Sequence, residues 1–312
     1  MKIVIFGAGG VGGYYGALLA KQGHAVTFVA RGAHLQAMRQ RGLQIKSAHG
    51  DFTIFPVRAT DNPAELDPPE LILFCAKAYD TESGARALTP IVAAQTSIVS
   101  LQNGVDAAER LGAALGAEKI IGGVTWISAA IESPGVIRQV SAFRRIALGE
   151  FSGQTTPRLQ AIFAALQETG LSVELTPDIQ KMLWTKFIFI AAASSFGALT
   201  RLPIGAYRSL PETRALIVQL MREVEALGRA QGVALDSDVV EKALGFLDGA
   251  EATIKASMQL DVEAGKQFEL EAMLGVIVRK GRAAGLPTPL AETLYALLLP
   301  VLRRAGTSED MI

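Results

Sequence analysis

The spacing of apolar positions changes character once along the chain, near residue 176. Before that point they fall in short runs rich in Val, Ile, Phe and Leu, bounded by glycine, proline or polar clusters. Lys2 to Phe6, Ala25 to Val29, Leu71 to Cys75, Ser97 to Leu101 and Ile120 to Ile131 read as strands, and Leu171 to Leu175 as the strand that closes the sheet. Helical spacing separates them over Val11 to Gln22, Asp80 to Leu88, Val105 to Leu115 and Leu159 to Glu168, with a shorter stretch around Ala64 to Leu66. Gly42 to Phe55 predicts a hairpin turning at His49-Gly50-Asp51, and Val136 to Glu150 alternates like a second hairpin. Strands alternating with helices predict a doubly wound α/β domain over residues 1–176. From Pro177, with Asp178 as a candidate N-cap, the pattern is helical throughout. It covers Gln180 to Ala198, Glu212 to Gln231, Asp236 to Leu247, Phe268 to Ala284 and Pro289 to Arg304, divided by Pro203, Gly205, Gly232 and Gly285-Leu286-Pro287. An all-helical domain over residues 177–312 follows.

The first strand runs without a spacer into Gly7-Ala8-Gly9-Gly10-Val11-Gly12 and then into the first helix. This order suits a dinucleotide pyrophosphate. Gly7 turns the chain off the strand, Gly9 lets the backbone approach the phosphates, and Gly12 lets the helix pack close to the sheet with its N–H groups facing the anion. A glycine triplet alone also makes a tight turn; the flanking strand and helix supply the context for nucleotide binding. The second strand ends in Ala30-Arg31-Gly32, where a binder of NAD or FAD would place a carboxylate for the ribose 2′-OH. The first aspartate of the chain is Asp51. Arg31 offers a charged planar fork suited to a 2′-phosphate, so NADPH is the expected cofactor. Lys77 and Asn103 each follow the carboxyl end of a strand, where ligands of such sheets lie.

Composition narrows the class. A chain of 312 residues, half of them apolar, is long enough for two domains. Its formal net charge of zero gives no footprint for nucleic acid. The first strand begins at residue 2, leaving no room for a signal peptide, and the longest apolar run, Phe187 to Ala193, is too short to span a bilayer. Cys75 is the only cysteine. No internal disulfide is possible, which fits a cytoplasmic location, and Cys75 reads as a small core hydrophobe. His24, His34 and His49 are scattered, so no metal site is expected.

Two charges stand out in the helical half. Met182 to Ala193 is apolar on every face except at Lys186 and the small Thr185. A helix of that kind is buried, and an ammonium within it costs several kcal/mol unless it is paired or its pKa falls. A lysine that snorkels to water is the bland alternative; beside a dinucleotide site, a proton donor is the functional one. Glu269 borders the apolar stripe Leu270, Met273, Leu274, Ile277 and Val278, whereas Glu271 is better placed for solvent. On helix logic alone, Glu269 reads as a first-turn acid facing the dipole.

With these residues laid out, the chain resembles the ketopantoate reductase (2-dehydropantoate 2-reductase) family along nearly its whole length. The matching pieces come in family order: the glycine turn, Arg31, Lys77, Gln102-Asn103-Gly104, Leu183-Trp184-Thr185-Lys186, and Ser257-Met258 followed by Glu269. The resemblance implies a Rossmann domain and a helical domain like that of 6-phosphogluconate dehydrogenase, with the active site in the cleft between them. It implies Lys186 as catalytic acid and Glu269 as a holder of substrate or cofactor ribose. It also implies Asn103 facing the nicotinamide and the substrate carbonyl, and Ser257 on the substrate carboxylate. The implied reaction is NADPH-dependent reduction of ketopantoate to pantoate, with a small-molecule 2-oxo acid as partner and a homodimer as a possible assembly.

Three departures bear on the substrate. Where family members carry asparagines one and two turns after the lysine, this chain has Ile190 and Ser194; a third expected asparagine is Ile254. Isoleucine in place of a hydroxyl-binding amide weakens selection for that hydroxyl. A D-2-hydroxyacid dehydrogenase of the same superfamily, acting on a more apolar 2-oxo acid, is therefore an alternative, as is an NADP(H)-binding protein without catalysis.

Overall fold

The structure, a computed structural model, describes residues 1–141 and 143–305. Residue 142, inside the second expected hairpin, and residues 306–312, at the end of the expected helical domain, lie outside the described residues. The chain divides into two compact units: residues 1–102 with 107–179, and residues 103–106 with those from Gln180 onward.

The first unit is built on an eight-stranded sheet. Its elements in chain order are β1 (Lys2–Phe6), α1 (Gly10–Lys21), β2 (Ala25–Val29), α2 (Gly32–Arg41), β3 (Leu43–Ser47), β4 (Phe52–Ile54), β5 (Arg58–Thr60), β6 (Leu71–Phe74), α3 (Thr81–Leu88), β7 (Ser97–Ser100), α4 (Ala107–Leu115), β8 (Ile120–Trp126), β9 (Ala129–Ser133), β10 (Val136–Gln139), β11 (Arg145–Gly149), α5 (Pro157–Gln167) and β12 (Ser172–Leu175). The large sheet has the order β12-β11-β8-β7-β6-β1-β2-β5. From β5 to β8 all strands are parallel, whereas β11 runs antiparallel to β8 and β12 follows β11. From β1 the chain winds outward through β2 and β5, then returns to β6 on the other side of β1. The strand order thus reverses between β1 and β6, the place where open α/β sheets bind ligands. Ile3, Ile5, Leu71, Leu73, Ile98 and Val99 are wholly buried, as central parallel strands covered on both faces require.

The second expected hairpin does not form. β10 pairs with β9 and, in parallel, with β3, in a separate sheet of order β4-β3-β10-β9, while β11 joins the large sheet beside β8. Alternation correctly marks both segments as strands, but it carries no information about which strand each one pairs with. The small sheet packs on α1. A Cβ on Gly10 would stand 2.0 Å from the Ala129 carbonyl oxygen, and one on Gly13 would meet the Ile137 side chain at 2.9 Å. α2 has no counterpart among the expected helices; only His34, Leu35, Ala37 and Met38 of its ten residues are buried.

The second unit is helical: α6 (Ile179–Thr200, its first residue counted with the sheet unit), α7 (Ile204–Arg208), α8 (Pro211–Ala230), α9 (Val239–Gly249), α10 (Ser257–Glu263), a π-helical turn at Glu271–Gly275 continuing into α11 (Val276–Ala283), and α12 (Pro289–Ala305). α6 is the central element. Among the described residues it is the one helix long and apolar enough to cross a membrane, and burial against neighbouring helices accounts for that composition. Gly228 of α8 lets the backbone approach closely, since a Cβ there would lie 3.0 Å from the Trp184 ring. Trp184 in turn meets Phe187 edge to face at 6.0 Å. α6 ends where Arg201 takes a φ of 56° and Pro203 removes the next donor. The α12 N-terminus is closed by the buried Glu223 carboxylate of α8, which accepts from the Leu290 and Ala291 N–H groups at 2.9 Å.

Candidate active site

In the sheet unit, the chain leaves β1 through Gly7, whose φ of 93° lies in the region open to glycine. A Cβ there would stand 2.6 Å from the Ala76 nitrogen, because the end of β6 passes directly beside the turn. The Gly7 and Ala8 N–H groups donate to the Val29 carbonyl, tying the turn to the end of β2. Gly12 has the close-packing role: its Cβ would lie 2.3 Å from the Gly7 carbonyl oxygen. Gly9, the α1 N-cap, has no heavy atom within 4 Å of its Cβ position. No side chain caps α1 and no acid stands in its first turn. The N–H groups of Gly10, Val11 and Gly12 thus begin a helix beside open space, which fits a pyrophosphate. Half-buried Val11 packs into the core below.

Arg31 is exposed at the α2 N-cap, one residue past the strand-end Ala30. The expectation that no acid stands at this strand end holds for β2 itself but not for its neighbour. Thr60 of β5 pairs with Val29, and exposed Asp61 follows it, 3.9 Å from Arg39. Lys77 is half-buried at the N-cap of a 3-10 turn after β6. Buried Gln102 joins the ends of two strands: its Nε2 donates to the Ala76 carbonyl at 3.0 Å and to Thr81 Oγ1 at 2.9 Å.

Asn103, the next residue, folds with the helical unit. Its side-chain Oδ1 accepts a hydrogen bond from Lys186 Nζ at 2.9 Å. Burial holds the Lys186 amine down at about 8, and the Glu269 carboxylate opposes that fall. The snorkelling alternative therefore does not describe this side chain. Its head meets a carboxamide, and the expected burden of burial is answered both by partners and by a lowered pKa. Glu269 is buried just before the π-helical turn, so it acts on Lys186 across the unit instead of serving only its own helix. The residues at helical neighbour positions to Lys186, namely Met182, Leu183, Phe189 and Ile190, are all half-buried and apolar. Phe189 stacks edge to face on Phe246 at 4.7 Å.

The remaining sequence candidates stand further out. Ser194, two turns after Lys186, is buried, whereas Ser257 is exposed at the first position of α10, as is Ile254 before it. Sequence reasoning missed the groups that hold the Asn103 segment. Asp106, buried, lies 3.5 Å from Arg279 of α11, and Arg279 also pairs with Glu271. Gly104 packs on the π-helical turn, its Cβ position 3.2 Å from the Ala272 carbonyl oxygen. An aspartate three residues after Asn103 was the only visible signal; its partner lies 173 positions later.

Known proteins resemble this chain along nearly its whole length. Residues 3–153 match the family described as ketopantoate reductase PanE/ApbA, and residues 178–301 match its C-terminal counterpart. A 2-dehydropantoate 2-reductase of Mesorhizobium japonicum is 31% identical over 319 residues, covering 96% of this chain and 97% of that protein. The crystal structure of 2-dehydropantoate 2-reductase from Geobacter metallireducens superposes with a TM-score of 0.90 at 33% identity, covering 96% of this chain and 99% of the other. A ternary structure of D-mandelate dehydrogenase with NADH and anilino(oxo)acetate shares the fold, with a TM-score of 0.89 at 20% identity, covering 99% of this chain and 100% of that one. Matched in order through both halves, from the glycine turn to the helices around Lys186, the chain belongs to the ketopantoate reductase PanE/ApbA family.

Proposed function

We propose that this oxidoreductase carries out the NADPH-dependent reduction of a 2-oxo acid in the cytoplasm, with 2-dehydropantoate as the leading substrate and (R)-pantoate, a pantothenate precursor, as product. The observation that carries the reading is the Lys186 ammonium, hydrogen-bonded to Asn103 and offset by Glu269 in the apolar run from Met182 to Ala193. When bound, the cofactor supplies the reducing equivalent to C2 of the substrate. The chain's own task is to stabilise negative charge developing on the C2 oxygen and to protonate it. Lys186, with an amine near 8, is mostly charged at neutral pH yet gives up its proton readily. Asn103 holds the ammonium through Oδ1 and keeps its amide donors for the substrate or nicotinamide. Glu269 keeps the lysine protonated between turnovers and is the candidate holder of a substrate or ribose hydroxyl. Ser194 and Ser257 are the further substrate-binding candidates. In the sheet unit, the Gly7–Gly12 turn would hold the pyrophosphate, with Arg31 on the 2′-phosphate and Lys77 beside the nucleotide.

A second reading has its own observation. The half-buried flank of Lys186 is apolar, at Leu183, Phe189 and Ile190, which favours a branched or aromatic 2-oxo acid as used by D-2-hydroxyacid dehydrogenases. One experiment tests both: oxidation of NADPH and of NADH across a panel of 2-oxo acids, wild type against Lys186→Ala. Turnover on 2-dehydropantoate that Lys186→Ala abolishes supports the first reading. Preference for an apolar acid, reversed by asparagine at both Ile190 and Ile254, supports the second. Tight NADPH binding without turnover on any acid refutes both and leaves a non-catalytic binder.

A further inference from the structure

Residues 103–106 belong to the helical unit although the chain on both sides of them folds with the sheet. Three contacts hold this four-residue segment there. Asn103 accepts from Lys186, Gly104 at a φ of 102° packs on the Ala272 carbonyl, and Asp106 faces Arg279 at 3.5 Å. Arg279 extends the last of these contacts to a second carboxylate. One arm of its guanidinium reaches Asp106 and the other reaches Glu271, whose second carboxylate oxygen accepts from the Tyr295 hydroxyl at 2.6 Å. Glu271 opens the π-helical turn that follows Glu269 by two residues. The Arg279 guanidinium thus links the segment that carries Asn103 to the turn that follows Glu269. Only a forked, permanently charged side chain can reach both carboxylates in this way. π-helical turns of this kind occur frequently at functional sites, where the extra residue re-aims neighbouring groups.

We propose that Arg279 is a positioning residue, which by bridging Asp106 and Glu271 keeps the Asn103 carboxamide on the Lys186 ammonium and holds both against Glu269. Its role in turnover rests on the reductase reading above; its effect on Lys186 does not. Without the guanidinium, Asp106 keeps its buried carboxylate but loses the ion pair that ties it to Glu271. Asn103 then moves off Nζ, which removes a hydrogen bond that favours the charged amine. The ionisable group acting on Lys186 from the opposing turn, Glu269, is left in place.

The test compares wild type with Arg279→Met, Arg279→Lys and Asp106→Asn. Arg279 is about half exposed, so its replacement leaves the core intact. The first readout needs no activity: the pH dependence of Lys186 acetylation by acetic anhydride, followed by mass spectrometry of the Lys186 peptide. In Arg279→Met the midpoint should fall by about half a pH unit or more. Arg279→Lys should recover part of the shift, and Asp106→Asn should reproduce it without adding to it in the double variant. In turnover, kcat should drop about tenfold on loss of Asn103 from the charge-stabilising set. Shifted labelling in a protein that turns over no 2-oxo acid would sustain the inference while removing the reductase reading. An Arg279→Met labelling curve that overlays wild type would overturn the inference, whatever the kinetics.

Discussion

Lys186→Met gives the sharpest physical test, because its effect on stability must change with pH in one direction only. The folded protein holds the amine at about 8, against about 10.4 for a lysine in an unfolded chain. At pH 7 the amine is charged in both states, so the native state carries the full burden of burying it, about 3 kcal/mol at ~1.4 kcal/mol per pKa unit. At pH 10 the native amine has shed its proton while the unfolded chain keeps most of its own, and the burden falls below about 1 kcal/mol. Because the side chain is only half-buried, solvent screening trims the difference to about 2 kcal/mol. Stability from this group therefore rises with pH between roughly 8 and 10. Urea unfolding of both proteins at pH 7 and pH 10 gives four free energies. The wild-type value should gain about 2 kcal/mol on the Lys186→Met value between the two pH values. A difference that is flat would mean an unperturbed lysine, and one that shrinks would mean a lysine with a raised pKa; either refutes the reasoning. On the reductase reading, the same amine should set the upper pH limb of turnover, with kcat falling as pH rises through about 8 in a pH–rate profile.

Two further outcomes are expected. Arg31→Ala should weaken NADPH binding about tenfold or more, the share of a charge-assisted pair, and leave NADH unchanged, as read by titration of nucleotide fluorescence. Equal weakening of both nucleotides would remove the 2′-phosphate role and draw attention to Asp61 beside the same strand end. Glu223→Ala should lower stability by about 2 kcal/mol in urea unfolding, since two buried N–H groups at the α12 start lose their acceptor. Glu223→Gln should recover part of that loss, because its carbonyl oxygen can still accept.

How much of this was legible in the sequence depended on how local each feature is. The glycine turn could be read because the strand, the turn and the helix that define it are contiguous, and each glycine has a steric reason within reach. Lys186 was legible for a different reason: one charge within the apolar run from Met182 to Ala193 demands an account whatever surrounds it. The second hairpin failed because period-2 alternation identifies a strand without naming its partner, and β10 and β11 separate into different sheets. α2 escaped because Gln36, Arg39, Gln40 and Arg41 dilute its apolar face to little more than Leu35 and Met38. The π-helical turn left no trace in the stripe Leu270, Met273, Leu274, Ile277 and Val278, which is buried as an ordinary helix would bury it. Asp106 and Arg279 meet only through the tertiary fold, so neither residue announced the other.

The small sheet against α1 bears on how the protein is made. Its strands come from residues 43–54 and 129–139, and the Ala129 backbone fills the space beside Gly10. The start of α1 thus acquires its outer wall only after some 120 further residues have left the ribosome. A nascent or truncated chain that stops before β9 has the entire glycine motif, yet it lacks one of the walls that pack on α1. On the nucleotide reading, owning the fingerprint and presenting it on a fully walled helix are separate stages in the life of this polypeptide, divided by a contact of high sequence separation.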